Sequence, residues 1–520
     1  MGLRGIGCGW KLIVAAVIVS AIVLLIGVMV VITRSPPPPP VADKIILISV
    51  DTLRPDYLGC YNPSIHTTPT IDSLAQQGVL FEDAFCNYPK TTPSHASMLS
   101  GLYTWSHGVR ENNQRIPDQV TLLPEILQAK GWSTGGFVSL ITVKAIYGFD
   151  RGFDVFDDKL PDSISATGAE RRCMETLEPA LEWLSQHLDD KVFMFLHLGD
   201  PHGSYTPPEP YLKDLPPPAD DQTLPIRKSN YAEDAIPSYQ VINSHREVDF
   251  YIQRYHAEIR YVDDCLKQLL DKLKEWEIFD RTLIIFTSDH GEAMGEHKRW
   301  FQHGSSLYYA QTRVPLVIVF PRNKPVRVRK IVDGVDLDPA VLEHLGMEIP
   351  WNKPRRVQGI VESVDLVPTI LEYLGMEVPS KMEGKSVLAR LHDPDLPAKS
   401  FWYGHLNRNN MRGIERDGMK LVYSNKKPQC LLFDVRVRFA YGGLRKRVNK
   451  KPQYLLFDVR ADPGEKENLA DTHEDLKKTL DLELKGFIKT RRGLKAKRPR
   501  LSPEEKQKVK KSLRSLGYIE

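Results

Sequence analysis

Cysteine is scarce and unpatterned in this chain of 520 residues: six are present, at Cys8, Cys60, Cys86, Cys173, Cys265 and Cys430. No two of them form a CxxC pair, so neither a cysteine zinc site nor a disulfide framework is indicated. Charge of one sign is also lacking, the formal net charge being +4. That balance gives no reason to expect nucleic acid as a partner. Long apolar runs are absent except for one. Leu12 to Ile32 carries no charged residue and is about the length needed to cross a bilayer.

Arg4 and Lys11 precede that run, and Arg34 and the stretch "SPPPPP" follow it. The bias favours an N-terminus inside and the bulk of the chain outside. A cleaved signal peptide is the alternative, but its apolar core is normally shorter and a small-x-small cleavage site would follow. The expectation is a single-pass membrane anchor at 12–32 with an extracytoplasmic body. Pro36 to Pro40 would form a stiff, extended spacer.

Beyond the spacer, "KIILISV" (Lys44 to Val50), "VFMFLHL" (Val192 to Leu198), "LIIFTS" (Leu283 to Ser288) and the run from Val314 to Phe320 suit strands buried on both faces. Amphipathic stretches at Thr121–Lys130 and Glu258–Lys274 lie between them. Buried strands alternating with helices indicate an α/β fold with a mostly parallel sheet. Ligands then bind beyond the carboxyl ends of the strands. Asp51, His202, Asp289 and His290 all fall at such ends.

"YPKTTPSHASMLSGLY" (Tyr88 to Tyr103) reads as a helix start, with Thr91 or Thr92 as N-cap, Pro93 in the first helical position and Gly101 as the stop. Two hydroxyls at a helix N-terminus sit where an anion is attracted. The region from Tyr205 to Val248 lacks periodicity and is expected to be a lid or substrate loop. Two duplications stand out: 331–350 recurs at 360–379, and 425–436 recurs at 449–460. Two copies do not make a solenoid; one copy of each is expected to keep the fold's contacts. Ser502 and Glu505 read as a capping box with Pro503 at the first helical position.

Cleaving a phosphate or sulfate ester needs a metal, an activated oxygen nucleophile and cations around the other oxygens. Asp51, Asp289 and His290 make a plausible ligand set, and Thr91 completes it if its hydroxyl oxygen reaches the same ion. One divalent metal is expected. Calcium prefers all-oxygen sites, whereas a histidine with carboxylates also suits manganese, magnesium or zinc.

The stretches "VDTLRPDYLGCY", "TTPSHASMLSGLYTWSHGVREN", "DPHGSYTPPEPY", "TSDHGEAMGEH", "HGSSLYYAQTRVPLVI" and "FDVRADPGEKENLAD" resemble, in that order, the sulfatase family of the alkaline phosphatase superfamily. The resemblance spans about Lys44 to Asp471. It implies an αβα sandwich with a mostly parallel central sheet and a smaller C-terminal α+β subdomain. The implied division is a short segment at 1–11, the anchor at 12–32, a linker at 33–43, a catalytic domain at 44–385, the subdomain at 386–471 and a basic helical tail at 472–520.

By the same resemblance Asp51, Asp289 and His290 are metal ligands and Thr91 holds the nucleophile position. His95 takes the place of an arginine, His202 is a general acid or an anion contact, and His303 stands where many sulfatases have a lysine. Asn112 joins the anion contacts. Two positions depart from the family pattern. Thr52 replaces a second aspartate, and Thr91 replaces the cysteine or serine that sulfatases oxidise to formylglycine; Cys86 lies off the motif. A sulfated threonine has no elimination route, whereas a phosphorylated one can be attacked at phosphorus. The expected activity is hydrolysis or transfer of anionic phosphate or sulfate esters, phosphoesters favoured, on a substrate such as a glycan or lipid headgroup. A true sulfuric ester hydrolase and an inactive membrane-anchored binding protein are the alternatives.

Overall fold

The computed structural model describes residues 42–160, 170–321, 355–392, 399, 401–406, 410–424, 453–516 and 518, apart from residues 214, 220, 221, 232 and 492. The expected membrane span, the spacer and one copy of each duplication lie outside these residues. Among the described residues no helix is long and apolar enough to cross a membrane.

Eight strands form the central sheet: β1 (Lys44–Val50), β2 (Val79–Phe81), β3 (Ser133–Val138), β4 (Val155–Asp157), β5 (Val192–Leu198), β6 (Thr282–Ser288), β7 (Leu316–Val319) and β8 (Arg355–Val357). Their order is β8-β2-β7-β6-β1-β5-β3-β4. Strands β6, β1, β5, β3 and β4 run parallel. Strand β7, read from sequence only as another apolar run, lies antiparallel to β6 and β2. Every residue of β1, β5 and β6 is buried, which is why none of them alternates polar with apolar.

Helices cover both faces. α1 (Pro69–Ala75), α3 (Cys173–Ser185) and the long α4 (Val248–Glu275) share one core with Ile46, Ile48 and Val50 of β1. Each fully buried large apolar side chain there contributes about 1.5–3 kcal/mol. On the opposite face α2 (Thr91–Ser100) reaches β1 through His95, whose Nε2 lies 2.9 Å from Ser49 Oγ. Glu258–Lys274 is thus the inner part of a helix that starts ten residues earlier, and the amphipathic stretch at Thr121–Lys130 contains the helix Leu123–Gln128. The loop after Tyr205 is not structureless: Ile226–Arg227 pairs with Ile236–Pro237, and Leu224, Ala235 and Ile236 are buried.

A second, antiparallel sheet holds β9 (Phe401–Leu406), β10 (Met411–Arg416), β11 (Met419–Ser424) and β12 (Gln453–Asp458) in that order. Ile414, Leu421 and Leu456 pack with Leu480 and Leu484 of α6 (Glu474–Lys489). The described duplicate copies build core elements. Residues 360–379 supply α5 (Leu366–Tyr373), with most of its side chains buried, and the later copy of the other pair supplies β12. The capping box at Ser502 opens α7 (Pro503–Ser515), Ser502 Oγ accepting from Glu505 N at 3.2 Å.

Candidate active site

Register brings the site together. Val50 pairs with Leu198 of β5 on one side and with Ser288 of β6 on the other. Asp51 therefore leaves β1 level with Asp289 leaving β6. Asp51, Asp289 and His290 offer ligand atoms that lie within 4.8 Å of one another, all buried. Asp51 Oδ1, Asp289 Oδ2 and His290 Nε2 make no hydrogen bond among the described residues. Three orphaned, electron-rich atoms converging in a dry pocket fit a divalent cation.

The electrostatics agree with that fit. The Asp51 carboxyl is held well above the ordinary carboxylate range, first by burial and then by Glu292. Asp289 is raised by burial and then by Asp51. Burial and the neighbouring His303 hold His290 neutral. A cation would relieve the two carboxylates at once.

Thr52 occupies the turn after Asp51 with φ 56°. A β-branched residue is strained there. The turn is clamped from α4: Tyr255 Oη donates to Thr52 O at 2.7 Å and accepts from Arg54 N at 3.2 Å. Thr52 N–H donates to Asp289 Oδ1 at 3.3 Å, so Thr52 supports that carboxylate through its backbone.

Helix α2 starts earlier than the sequence suggests. Lys90, not Thr91 or Thr92, is the N-cap, without a side-chain cap, and Pro93 is the third helical residue. The threonine hydroxyls are otherwise engaged: Thr92 Oγ1 donates to Thr142 O at 2.7 Å, and Thr91 Oγ1 lies 2.9 Å from Tyr518 Oη. Asn112 Oδ1 takes the Thr92 N–H at 3.0 Å and acts as the cap from outside. Its Nδ2 is buried and makes no hydrogen bond among the described residues. Ser94 Oγ donates to Asp289 O at 2.6 Å, tying the helix to the end of β6. Gly101 stops the helix in the left-handed conformation at φ 68°, as expected.

The histidines divide into two groups. His95 is buried behind Thr91, its Nδ1 2.9 Å from Thr91 O, and it packs on His197 with ring centroids 4.8 Å apart. His202, His303 and His290 form one cluster, the ring of His303 4.5 Å from His290 and 5.2 Å from His202. Burial, aided by His303, holds His202 well below the ordinary imidazole range. Burial and Lys90 push His303 down to about 3. Lys90 keeps its charge, its Nζ 2.7 Å from Glu111 Oε2.

Four residues in and around this site escape a sequence reading. His197 Nε2 stands 3.4 Å from Asp51 Oδ2. Its signal was available, a histidine next to last in a strand bordering β1. Glu292 Oε2 lies 3.3 Å from His303 Nδ1 and its Oε1 makes no hydrogen bond among the described residues. Glu170 lies 3.9 Å from His202 Nδ1 and is pushed up to about 8, mainly by burial. Tyr518 carries no local signal at all.

The sequence model of the Sulfatase family matches residues 43–347. Curated relatives include the "Uncharacterized sulfatase YidJ" of Escherichia coli, 25% identical over 57% of this chain and 66% of that protein. Arylsulfatase K of Gallus gallus is 26% identical over 53% of this chain and 58% of its own length. The matches thus span less than two thirds of these curated relatives. Among solved structures, BT4656 in complex with its substrate D-glucosamine-2-N,6-O-disulfate superposes with a TM-score of 0.63 at 19% identity, covering 86% of this chain and 98% of that one. The phosphonate monoester hydrolase of Agrobacterium radiobacter superposes with a TM-score of 0.61 at 20% identity, covering 86% and 96%. The fold shared with these structures is the alkaline-phosphatase-like αβα sandwich with its smaller C-terminal subdomain.

Proposed function

The chain belongs to the sulfatase family, and on that premise we propose that it is a metal-dependent ester hydrolase or transferase in which Thr91 is the nucleophile and phosphoesters are favoured over sulfate esters. One observation carries this reading: a threonine hydroxyl stands beside the Asp51–Asp289–His290 cluster, where a formylglycine would be needed for sulfate elimination. A divalent cation held by Asp51, Asp289, His290 and Thr91 supplies Lewis acidity and positive charge when bound. Thr91 Oγ1 forms the bond to phosphorus as the bond to the leaving oxygen breaks. His202, kept neutral by burial, takes up the proton that Thr91 gives up on attack and passes it to that leaving oxygen. Asn112 Nδ2, Lys90 and His303 surround the non-bridging oxygens, and their donors offset the charge that builds there. Water, or an acceptor alcohol, then attacks phosphorus as the bond to Thr91 Oγ1 breaks, and its proton returns through His202 to the threonine.

Solved structures that share the fold support both ester classes, since they include phosphonate monoester hydrolases and a 2-O glycosaminoglycan sulfatase. The names of curated relatives such as iduronate 2-sulfatase favour the second reading, a sulfuric ester hydrolase acting on an anionic glycan. We also propose that 12–32 anchors the chain in a membrane with the catalytic body outside the cytoplasm. The test is a screen of the purified protein with Mn²⁺, Mg²⁺, Zn²⁺ and Ca²⁺ against aryl sulfates, phosphate monoesters and phosphodiesters. Phosphoester turnover that Thr91→Ala abolishes is expected. Many turnovers of an aryl sulfate with every phosphoester ignored overturns the reading.

A further inference from the structure

The nucleophile pocket is filled by the chain's own Tyr518. Its hydroxyl lies 2.9 Å from Thr91 Oγ1 and 2.9 Å from His202 Nε2, bridging the two groups that would act on an ester. The phenol ring stands against His202 and His303, with centroid distances of 5.6 and 5.7 Å. Thr91, Asp51, Asp289 and His290 are each 0% exposed. An atom under attack must sit about 3–3.5 Å from the attacking oxygen. The Tyr518 oxygen already stands within that distance, and phosphorus with its oxygens cannot share the volume.

The support for this plug is slight and separate from the central core. Leu513 of α7 and Leu516 just after it pack against Leu140 and Ile141, with Leu160, Val509 and Tyr518 at the edge of this cluster. Most of the remaining α7 surface is exposed, and Tyr518 N donates to Leu513 O at 2.9 Å. A segment held mainly by this small peripheral cluster is withdrawn at lower cost than an element of the central sheet, whose strands are buried on both faces.

We propose that Tyr518 is a built-in competitor for the substrate: its phenol takes the place of the ester group, and binding requires Tyr518 to withdraw. The inference rests on Thr91 being the nucleophile, but not on whether phosphorus or sulfur is attacked. Only the withdrawn fraction binds, so the apparent dissociation constant equals the intrinsic one divided by that fraction. Removing the plug therefore tightens binding and lowers KM without raising kcat.

The experiment titrates inorganic phosphate and, separately, inorganic sulfate into the Mn²⁺-loaded full chain by calorimetry. Parent, Tyr518→Phe and Tyr518→Ala are compared, with a deletion of residues 503–520 as a further variant. At least tenfold tighter binding of one anion is expected for Tyr518→Ala, with Tyr518→Phe in between because the ring remains while the hydroxyl is lost. KM for bis(p-nitrophenyl) phosphate should fall by the same factor at unchanged kcat. Equal or weaker binding of both anions by Tyr518→Ala, with parental thermal unfolding, overturns the proposal. Tighter binding of sulfate alone, with sulfate esters turned over instead, upholds the plug and sinks the phosphoester preference. Phosphoester turnover with unchanged anion affinity does the reverse.

Discussion

Asp51 and Asp289, 238 positions apart in sequence numbering, leave adjacent parallel strands at the same level because Val50 pairs with Ser288. Among the described residues the basic groups nearest them are His197 and His290, whose imidazoles burial keeps neutral. The proximity of the two carboxylates makes sense chemically as half of a cation site, and the other orphaned atom, His290 Nε2, comes from the next residue along the same strand end.

Asp289→Ala is expected to abolish stoichiometric binding of the divalent metal and to reduce turnover at least about a hundredfold, comparable to losing one key transition-state contact. Elemental analysis of the purified variant checks this directly. Full metal content together with parental turnover would show that the ligands have been misassigned.

Thr91→Ala removes the attacking oxygen, so a loss of at least about a hundredfold in kcat is expected. Thr91→Ser should keep part of the activity, because the oxygen survives while the methyl that restricts its rotamer is lost. Mass spectrometry of the peptide spanning Tyr88 to Tyr103 should show ordinary threonine. An oxidised residue there would contradict the assignment.

Metal-dependent stabilisation should grow as pH rises from about 5 to 8. In the metal-free fold burial raises Asp51 and Asp289 above 3.8, so the folded state holds protons that the unfolded chain has released. Their contribution to stability is complete below 3.8 and is lost as pH rises toward the raised values. A cation reverses this cost by favouring the ionised pair. The difference in Tm between metal-loaded and chelated protein, measured across this range, is the readout. A difference that shrinks with rising pH would contradict the site.

Acid should destabilise the protein below about pH 6.5 through its neutral buried histidines. His197 and His303 are both depressed to about 3 by burial, with Arg171 and Lys90 respectively as further causes. The unfolded chain takes up protons there that the folded chain refuses, at about 1.4 kcal/mol per pH unit for each histidine. Urea unfolding at pH 5 and pH 7 tests the sign; equal stability at both would contradict it.

Tyr255→Phe unclamps the strained turn at Thr52 by removing both hydrogen bonds of the hydroxyl. A cost of about 1–3 kcal/mol in unfolding free energy is expected, because Thr52 O and Arg54 N lose a buried partner. Metal affinity should weaken with it, since Asp51 and Thr52 share the turn. Unaltered affinity and stability would mean that the turn is held by other contacts.

Much of the framework is legible in local sequence. "KIILISV" and "VFMFLHL" are apolar at nearly every position, which demands cover on both faces, and the acids that follow them mark the open end of the sheet. Gly101 and the Ser502–Glu505 box act within a few residues of themselves, so their roles survive any tertiary context. The start of α2 does not, because Asn112 supplies the cap that Thr91 and Thr92 appeared free to make.

By itself, then, the sequence determined the α/β class, the ends at which chemistry would sit and the residue types there. Hydrophobic period and capping are local properties carried by neighbours in the chain. Only the tertiary structure decided that β6 and β5 flank β1, that Leu316–Val319 runs antiparallel, that His197 faces Asp51 and that Tyr518 reaches Thr91. Strand order and register are set by which long-range pairings bury the most surface with their backbone groups satisfied. No periodicity records the approach of Tyr518 to Thr91 across a separation of 427 residues.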